Sequence, residues 1–393
     1  MTTRFSASAE FDRLQSVRVH EPGLEIWSGA IDPASHLFES PVAPDQARRQ
    51  HRRYVDVLAA NGVTVHTLAG DLAAADALDD LVAEYATVES AVDLGATLAT
   101  LDPHEKLQLA LARARIGPGD AAPASLHVER PISNIFFQRD TTILGDRGPI
   151  LCTMRSPVRQ PEVSIVDRAW EGIGADVVHR ASTGPIEGGE FLPLGEFALL
   201  GVSGVVDGEE HVIRTSYAAG RALLDAGAVG YDEVGLVRAP IEADRALAAE
   251  HDAPSRLMHL LGWVNVAAEG LAVTFPTLAR AADVDVFGRT EGGYERRETV
   301  SLATYLDRKG YDVIAASHPE RWPTNFVAID DGVVVPLYEP DESGDYRPEN
   351  NPTIEAMKER GVTIVPDGVG LPTGPLTNGA GGLHCMTTPV NRA

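Results

Sequence analysis

The chain has 393 residues, of which 44% are hydrophobic and 23% are charged, a composition that excludes wholesale disorder and collagen-like or fibrous structures. Asp and Glu number 57 against 33 Lys and Arg, which gives a net charge of −24, so binding to nucleic acid or to an anionic membrane is not expected. The length favours one large α/β domain that spans residues 1–393.

Targeting signals and disulfides are not expected either. No apolar run approaches the length of about 18 residues that a membrane-spanning helix needs, and the opening residues lack the apolar core of a signal peptide. Only two cysteines occur, Cys152 and Cys385, so a disulfide framework is excluded. We therefore expect a cytoplasmic protein.

Candidate strands and helices alternate along most of the chain. Residues 16–20, 63–68 and 197–202 are apolar segments bounded by turn residues, which predicts strands. Residues 45–60 carry arginines on one face and apolar residues on the other, and Asn61-Gly62 ends this helical pattern. Such alternation is typical of an α/β fold.

Residues 71–123 have a different composition. They are rich in Ala and Leu and poor in β-branched runs, and apolar residues recur at helical spacing between Leu78 and Val88. We predict that this segment is a helical insertion within the domain.

A glycine-rich segment at residues 378–385, NGAGGLHC, ends at Cys385. Glycines allow the backbone to approach a ligand closely and leave the thiol uncovered. Cys385 is therefore either a nucleophile, whose thiolate a nearby cation would favour, or a small buried residue. Cys152 follows apolar residues and is expected in the core.

Three other segments contain candidate reactive residues. Glu187 and Glu190 flank two glycines. Carboxylates in such a place can orient a histidine or hold a cation. The alternative is an acidic surface turn. Asp140 follows an apolar pair and Arg139, with which it could form a surface ion pair. His259 lies in an apolar stretch and is either a base for the thiol or a hydrogen-bonded core residue.

Taken in order, FFQRD at 136–140, EGGE at 187–190, MHL at 258–260 and GGLHC at 381–385 resemble the arginine deiminase family. That family belongs to the guanidine-modifying (pentein) superfamily, which also contains the amidinotransferases. The resemblance covers essentially the whole chain, and the helical insertion lies where deiminases carry a helical subdomain. It implies a five-fold pseudo-symmetric α/β propeller with its active site at the centre of the ring.

The resemblance also implies a catalytic set. Cys385 matches the nucleophile, His259 the general acid and base, Glu187 the carboxylate that orients the histidine, and Asp140 a carboxylate that binds the guanidinium. The thiolate would add to the guanidinium carbon, the imidazolium would protonate the departing amine, and water would then hydrolyse the covalent intermediate. This chemistry needs no cofactor and no metal, and the sequence shows no zinc-ligand spacing and no phosphate-binding loop.

Further residues are implied to bind the rest of the substrate. Asn134, Arg159 and Arg214 fall at or near family positions that hold the amino-acid end of arginine. The match of Arg214 requires an insertion in this chain between Gly204 and Ile213. His384 is a candidate pocket residue, because a histidine before the nucleophile is common in the agmatine deiminase and amidinotransferase branches.

The sequence departs from the family at Leu261, where deiminases usually have an aspartate that binds the far side of the guanidinium. A desolvated cation that lacks one of its two partners would be penalised by about 3–5 kcal/mol. Glu190 could replace the missing carboxylate. Alternatively, Leu261 and Trp263 could shape an apolar pocket for a less charged substrate, or the protein could bind a ligand without catalysis.

The sequence thus predicts a hydrolase of a C–N bond in a guanidino group or a related ureido or amidino group. The default reaction converts arginine to citrulline and ammonia. The alternative is an amidinotransferase that passes the amidino group to an amine. The expected partner is a small guanidino or ureido substrate, with nucleic acid and membranes excluded and a homo-oligomer possible.

Overall fold

The computed structural model describes residues 5–90, 92–117 and 130–393. Helices and strands alternate through the described part of the chain. The N-terminal elements are β1 (Leu14–Val19), α1 (Trp27–Ile31), α2 (Pro44–Ala60), β2 (Thr64–Thr67), α3 (Leu68–Ala74), α4 (Leu78–Tyr85), β3 (Thr87–Val88), α5 (Leu94–Leu98), α6 (Pro103–Leu111) and β4 (Arg115–Ile116).

The central elements form a second stretch of alternating strands and helices. They are β5 (Thr142–Gly145), β6 (Gly148–Leu151), α7 (Gln160–Gly172), β7 (His179–Arg180), β8 (Phe191–Pro193), β9 (Phe197–Val202), β10 (Gly204–Val206), β11 (Glu209–His211), α8 (Tyr217–Asp225), β12 (Glu233–Arg238) and α9 (Ile241–His251).

The C-terminal elements complete the fold. They are β13 (Val264–Ala268), β14 (Leu271–Thr274), α10 (Pro276–Ala281), β15 (Asp283–Thr290), β16 (Gly293–Ser301), α11 (Leu302–Arg308), β17 (Asp312–Ala315), β18 (Val327–Asp330), β19 (Val333–Val335), β20 (Leu337–Tyr338), α12 (Pro352–Glu359), β21 (Thr363–Ile364), β22 (Leu371–Pro372) and β23 (Thr388–Arg392).

One strand pattern recurs five times within the described residues. An antiparallel pair is followed, after at least one helix, by a strand parallel to the second member of the pair. The five cases are β5-β6-β7, β8-β9-β12, β13-β14-β17, β18-β19-β21 and β23-β1-β2. This repeated unit confirms the predicted α/β class.

The last of these units joins the two ends of the chain. Strand β23 pairs antiparallel with β1, where Val17 lies opposite Pro389 and Arg18 opposite Thr388. Strand β1 also pairs in parallel with β2, and α2 connects them. Because of this pairing, the segment before β23, which includes Cys385, is fixed against the N-terminal part of the fold.

The segment predicted as a helical insertion, residues 71–123, contains mainly helices where it is described. It includes most of α3 and all of α4, α5 and α6, together with the short parallel pair β3 and β4. Helix α6 begins with a capping box between Asp102 and Glu105. Residues 118–123 of the predicted insertion lie outside the described residues.

The apolar core is divided among several clusters. The largest lies around β13, β14, α10 and α11, and a second lies beneath α3, α4, α6 and α7. Cys152 is buried in a third cluster, around β9 and α8, in agreement with its expected core position. In the described part of the chain, no helix combines the length and the apolarity required to cross a membrane.

Candidate active site

Each repeated unit places a polar residue shortly before its first strand. The residues are Asp140 before β5, Glu190 before β8, His259 before β13, Asn325 before β18 and Cys385 before β23. Three of these positions belong to or border short 3-10 helices, at Gln138–Thr141, Gly188–Glu190 and Leu260–Gly262. Equivalent ends of the repeated units thus supply the candidate site.

His259 is held between two carboxylates. Its Nε2 lies 2.8 Å from Glu187 Oε2, and its Nδ1 lies 3.7 Å from Asp140 Oδ1. All three side chains are buried. Because Glu187 occupies Nε2, Nδ1 is the ring nitrogen that remains to exchange a proton with a ligand near Asp140.

The Gly188-Gly189 pair allows this close arrangement. A Cβ atom on Gly189 would lie 2.7 Å from the His259 ring and 2.9 Å from Asp140 Oδ1. A Cβ atom on Gly188 would lie 2.2 Å from the backbone oxygen of Arg139. All three distances are too short for a real side chain, so only glycine fits at these two positions.

Charge interactions keep the histidine and glutamate ionised. Burial disfavours the charged ring, but the carboxylates of Asp140 and Glu187 outweigh this effect and raise the pKa of His259 above its ordinary value. Burial likewise opposes ionisation of Glu187, whereas His259 and Arg159 lower the pKa of Glu187. These interactions favour the imidazolium and carboxylate forms of the pair, which suits a general acid.

Asp140 has one occupied and one free carboxylate oxygen. Its Oδ2 accepts a hydrogen bond from Arg159 Nη1 at 2.6 Å. Its Oδ1 is buried and has no hydrogen-bond partner within the described residues. A buried unpaired carboxylate oxygen is costly, so it indicates a position that a cationic ligand would complete.

Arg159 interacts extensively with protein groups. Besides Asp140, it donates to both carboxylate oxygens of Glu162 and to the backbone oxygens of Asn134 and Phe137. These contacts hold the Arg159 guanidinium group at Oδ2 of Asp140, where it fixes the orientation of that carboxylate.

The thiol of Cys385 lies close to this group. Burial raises the pKa of Cys385 to about 11, and the nearby Asp140 carboxylate contributes to the same shift. Asn325 Nδ2 donates to Cys385 Sγ at 3.2 Å, which acts in the opposite direction. The backbone N–H of Arg139 donates to the Cys385 carbonyl at 3.0 Å, so the Asp140 segment and the cysteine segment are directly joined.

Glu190 and Leu261 have different environments. Glu190 Oε2 accepts a hydrogen bond from the Leu260 N–H at 2.6 Å, and burial raises the pKa of Glu190 to about 7. Leu261 is buried in the largest apolar cluster. The cavity beside His259 is lined by Glu190, Leu260 and Trp263, and Leu261 does not line it.

Asn134 and Arg214, which are predicted to bind the amino-acid end of the substrate, have different surroundings. Asn134 is buried and donates from Nδ2 to the His36 carbonyl at 2.7 Å. The insertion that precedes Arg214 forms the hairpin β10-β11, with positive φ angles at Asp207 and Gly208. The positive charge of Arg214 favours the ionised forms of Glu187 and Glu190, although burial dominates at Glu190 and raises its pKa.

His384 belongs to a buried charge network centred on Glu10. Glu10 Oε1 lies 3.1 Å from His384 Nε2 and 2.6 Å from Arg392 Nη2, and Oε2 lies 2.7 Å from Arg139 Nη2. Burial lowers the pKa of His384 to about 4, so this ring is neutral at physiological pH. Glu10 thus links the neighbours of Asp140 and Cys385.

The described residues contain one compact group of side chains that could ligate a metal ion. One ligand atom each from Asp140, Glu187 and His259 lies within 4.8 Å of the others. This set could hold a metal ion, but Glu187 and His259 already neutralise each other. A planar organic cation that interacts with Asp140 fits the same group.

Sequence reasoning missed three residues in this region. Asn325 has no glycine or charged motif beside it, and only its equivalent position in the repeated unit indicates a role. Glu10 lies near the N-terminus, and Glu162 lies in the first turn of α7. Neither glutamate has a local pattern that distinguishes it from an exposed acidic residue.

Comparison with solved structures shows which fold this is. An amidinotransferase of the saxitoxin pathway from Microseira wollei aligns with a TM-score of 0.56 and 14% identity, over 99% of this chain and 98% of its own. The DDAH of Pseudomonas aeruginosa in complex with citrulline aligns with a TM-score of 0.55 and 12% identity, over 95% of this chain and 98% of its own. The fold is therefore that of the pentein superfamily.

Sequence comparison narrows this class to one family. Residues 121–392 match the family model described as arginine deiminase. An arginine deiminase of Halobacterium salinarum is 31% identical, covering 100% of this chain and 97% of the relative, and that of Metamycoplasma hominis is 22% identical, covering 98% and 95%. The chain belongs to the arginine deiminase family, as the resemblance implied, and is a hydrolase of a C–N bond in a guanidino group.

Proposed function

We propose that the protein hydrolyses free L-arginine to citrulline and ammonia. The observation that supports this most directly is the buried Oδ1 of Asp140, which accepts no hydrogen bond from the described residues and lies 3.7 Å from His259 Nδ1. A guanidinium group that donates to this oxygen would have its reactive carbon near both the histidine and the thiol. The full-length similarity to proteins named arginine deiminase supports arginine as the substrate.

The substrate itself would activate the nucleophile. In the ligand-free protein, burial and Asp140 hold the pKa of Cys385 at about 11, so the sulfur is a thiol. A guanidinium cation bound to Asp140 would offset the negative charge that opposes ionisation. The thiolate would therefore form mainly when arginine is bound, which limits reaction of the sulfur with other electrophiles.

The covalent step then follows from the positions of the side chains. The Cys385 sulfur adds to the guanidinium carbon, and His259 Nδ1 donates its proton to the departing nitrogen as the C–N bond breaks and ammonia leaves. In the second half, the neutral His259 takes a proton from water, the resulting hydroxide adds to the same carbon, and the carbon–sulfur bond breaks. The proton of the added hydroxyl group passes to the leaving sulfur, which restores the thiol as citrulline is released.

Glu190 is the proposed second carboxylate of the guanidinium site. Position 261 carries leucine where deiminases usually have an aspartate, and Glu190 would take over the role of that aspartate. Its position supports this role, since it is buried beside His259 and accepts a hydrogen bond from the backbone of Leu260. Arg214, Asn134 and His384 are proposed to face the remainder of the substrate. Arg159 is proposed to position Asp140, since its guanidinium is engaged by Glu162 and Asp140.

The amidinotransferase alternative is not favoured. The amidinotransferases among the structural neighbours share 14% and 13% identity with the chain, which supports a common fold alone. The relatives matched over nearly their whole length are arginine deiminases.

A product assay tests the proposal. The purified protein is incubated with L-arginine alone, and citrulline and ammonia are quantified together with ornithine. We expect equal amounts of citrulline and ammonia, and a covalent adduct on Cys385 by mass spectrometry of acid-quenched samples. Cys385→Ala should abolish both, whereas Cys152→Ala serves as the matched control and should retain them.

Two outcomes would overturn the assignment. Ornithine that forms only when an acceptor amine such as glycine is added would identify a transferase. Citrulline production at the wild-type rate by the Cys385→Ala variant would exclude the proposed nucleophile.

A further inference from the structure

A second cavity lies between α2 and the C-terminal segment, outside the residues assigned to the reaction. It has a volume of about 220 Å³, and most of its lining is apolar. The apolar lining residues are Leu337, Leu371, Pro372, Leu376 and Leu383. Its polar lining comes from Arg49, Gln50 and Arg53 on α2 and from Thr377.

The arginines of α2 fall into two pairs with different surroundings. Arg48 and Arg52 both contact Glu21, at 3.6 Å and 2.8 Å. Arg49 and Arg53 line the cavity, and neither forms an ion pair with any acidic side chain that the structure describes. They lie one helical turn apart, so their like charges repel each other.

This combination selects a class of ligand. In a chain with a net charge of −24, an uncompensated basic pair beside a cavity attracts a small anion. Guanidinium groups bind carboxylates through charge-assisted hydrogen bonds. The leucine-rich lining favours an aliphatic body and leaves the polar ring of a nucleotide without hydrogen-bond partners.

We propose that this cavity binds an organic monoanion, a carboxylate attached to an aliphatic chain. The carboxylate lies between Arg49 and Arg53, and the chain packs against Leu371, Leu376 and Leu383. Binding at this site is independent of the proposed arginine reaction, because Asp140, Glu187 and His259 do not line the cavity.

The cavity adjoins the segment that carries the nucleophile. Leu383 precedes Cys385 by two residues, and Gln50 Oε1 accepts a hydrogen bond from the Leu376 N–H at 2.9 Å. Tyr54, on the same helix, contacts Thr387 Oγ1 at 2.5 Å. Helix α2 thus contacts this segment on both sides of Cys385, and a bound carboxylate would lie where the helix and the segment meet.

Calorimetric titration of the full chain with hexanoate tests the proposal. Hexanamide, which lacks the charge, and acetate, which lacks the chain, are the comparison ligands. We expect hexanoate to bind at least about tenfold more tightly than either, because both the charge and the apolar surface contribute. Added salt should weaken hexanoate binding, since the arginines are at the surface.

A matched pair of double variants locates the site. Arg49→Gln with Arg53→Gln should weaken hexanoate binding at least about tenfold, whereas Arg48→Gln with Arg52→Gln should change it by less than about twofold. Both variants remove two positive charges from the same helix. Circular dichroism and Tm values establish that both remain folded.

The proposal is overturned by any of three results. Hexanamide could bind as tightly as hexanoate, or the two double variants could behave alike. Finally, saturating L-arginine could displace hexanoate from the Cys385→Ala variant, which would place the ligand in the active site instead.

Discussion

Asn325 Nδ2 lies 3.2 Å from Cys385 Sγ, while Asn325 Oδ1 accepts a hydrogen bond from the His384 N–H at 2.9 Å. One buried amide therefore fixes both the sulfur and the backbone just before it. An N–H group that donates to sulfur stabilises the thiolate relative to the thiol, and this contact lowers the pKa of Cys385 against the effect of burial.

Asn325→Ala should therefore slow the reaction without removing the nucleophile. A hydrogen bond to a charged group contributes about 1.5–3 kcal/mol, so we expect kcat to fall by roughly ten- to a hundredfold. The pH at which Cys385 reacts with iodoacetamide should also rise. Asn391→Ala, whose side chain contacts Gln15, is the matched control. An unchanged alkylation profile would contradict this role for Asn325.

The pH dependence of substrate binding should follow the ionisation of Glu190. Its pKa is raised to about 7 by burial, so the side chain loses its charge as the pH falls through neutrality. Below that pH, the guanidinium cation has one carboxylate partner fewer. We expect KM for arginine to rise as the pH decreases from 8 to 6, by about tenfold per unit at most.

Glu190→Gln provides the comparison for this profile. The amide oxygen can still accept the Leu260 N–H, so the fold should be retained, but KM should be high and nearly independent of pH. Glu196→Gln, in the exposed turn between β8 and β9, is the matched control. A wild-type pH profile in the Glu190→Gln variant would show that another group titrates.

Much of the fold could be predicted from sequence because helix α2 and the strand segments have strong periodicity. The helix begins at Pro44, one residue before the predicted start, because proline suits the first turn. The strands could not be assigned to sheets in this way, since β1 and β23 pair across almost the entire chain. The local sequence pattern did not indicate that the C-terminal cysteine segment lies against the N-terminal strand.

Local sequence patterns likewise identify some residues of the candidate site but not others. Cys385, His259 and Glu187 have recognisable motifs with glycines or apolar residues around them. Asn325 has no such motif, but it occupies the position before β18 that corresponds to His259 before β13. Glu10 is buried beside Arg139 and Arg392, which are distant in sequence, and no local pattern indicates these contacts.

Glu187→Gln should change the pH dependence of kcat. The Glu187 carboxylate raises the pKa of His259 through the contact at 2.8 Å. Without its charge, the imidazolium loses its proton at a lower pH and cannot act as general acid. We expect kcat at pH 7.5 to fall at least about tenfold and to recover partly at pH 6. A uniform decrease at all pH values would indicate lost geometry instead.

Glu10→Gln should destabilise the fold. Glu10 pairs with two buried arginines, Arg139 and Arg392, and breaking such a network leaves charges without a partner. The cost of a broken buried ion pair is about 3–5 kcal/mol. Urea unfolding should show this loss, whereas Glu196→Gln should show almost none. An equal stability of the two variants would mean that water replaces the carboxylate at no cost.

Leu261→Asp tests how the departure from the family is accommodated. If the Leu261 side chain faced the substrate, an aspartate there would restore the usual second carboxylate and lower KM for arginine. The structure instead places Leu261 in the largest apolar cluster, with 1% exposure. A buried carboxylate without a partner costs several kcal/mol, so we expect a clearly lower Tm and no gain in kcat/KM. Leu261→Met conserves volume and should change both little. A variant that kept the wild-type Tm and used arginine more efficiently would show that Leu261, rather than Glu190, occupies the far side of the guanidinium.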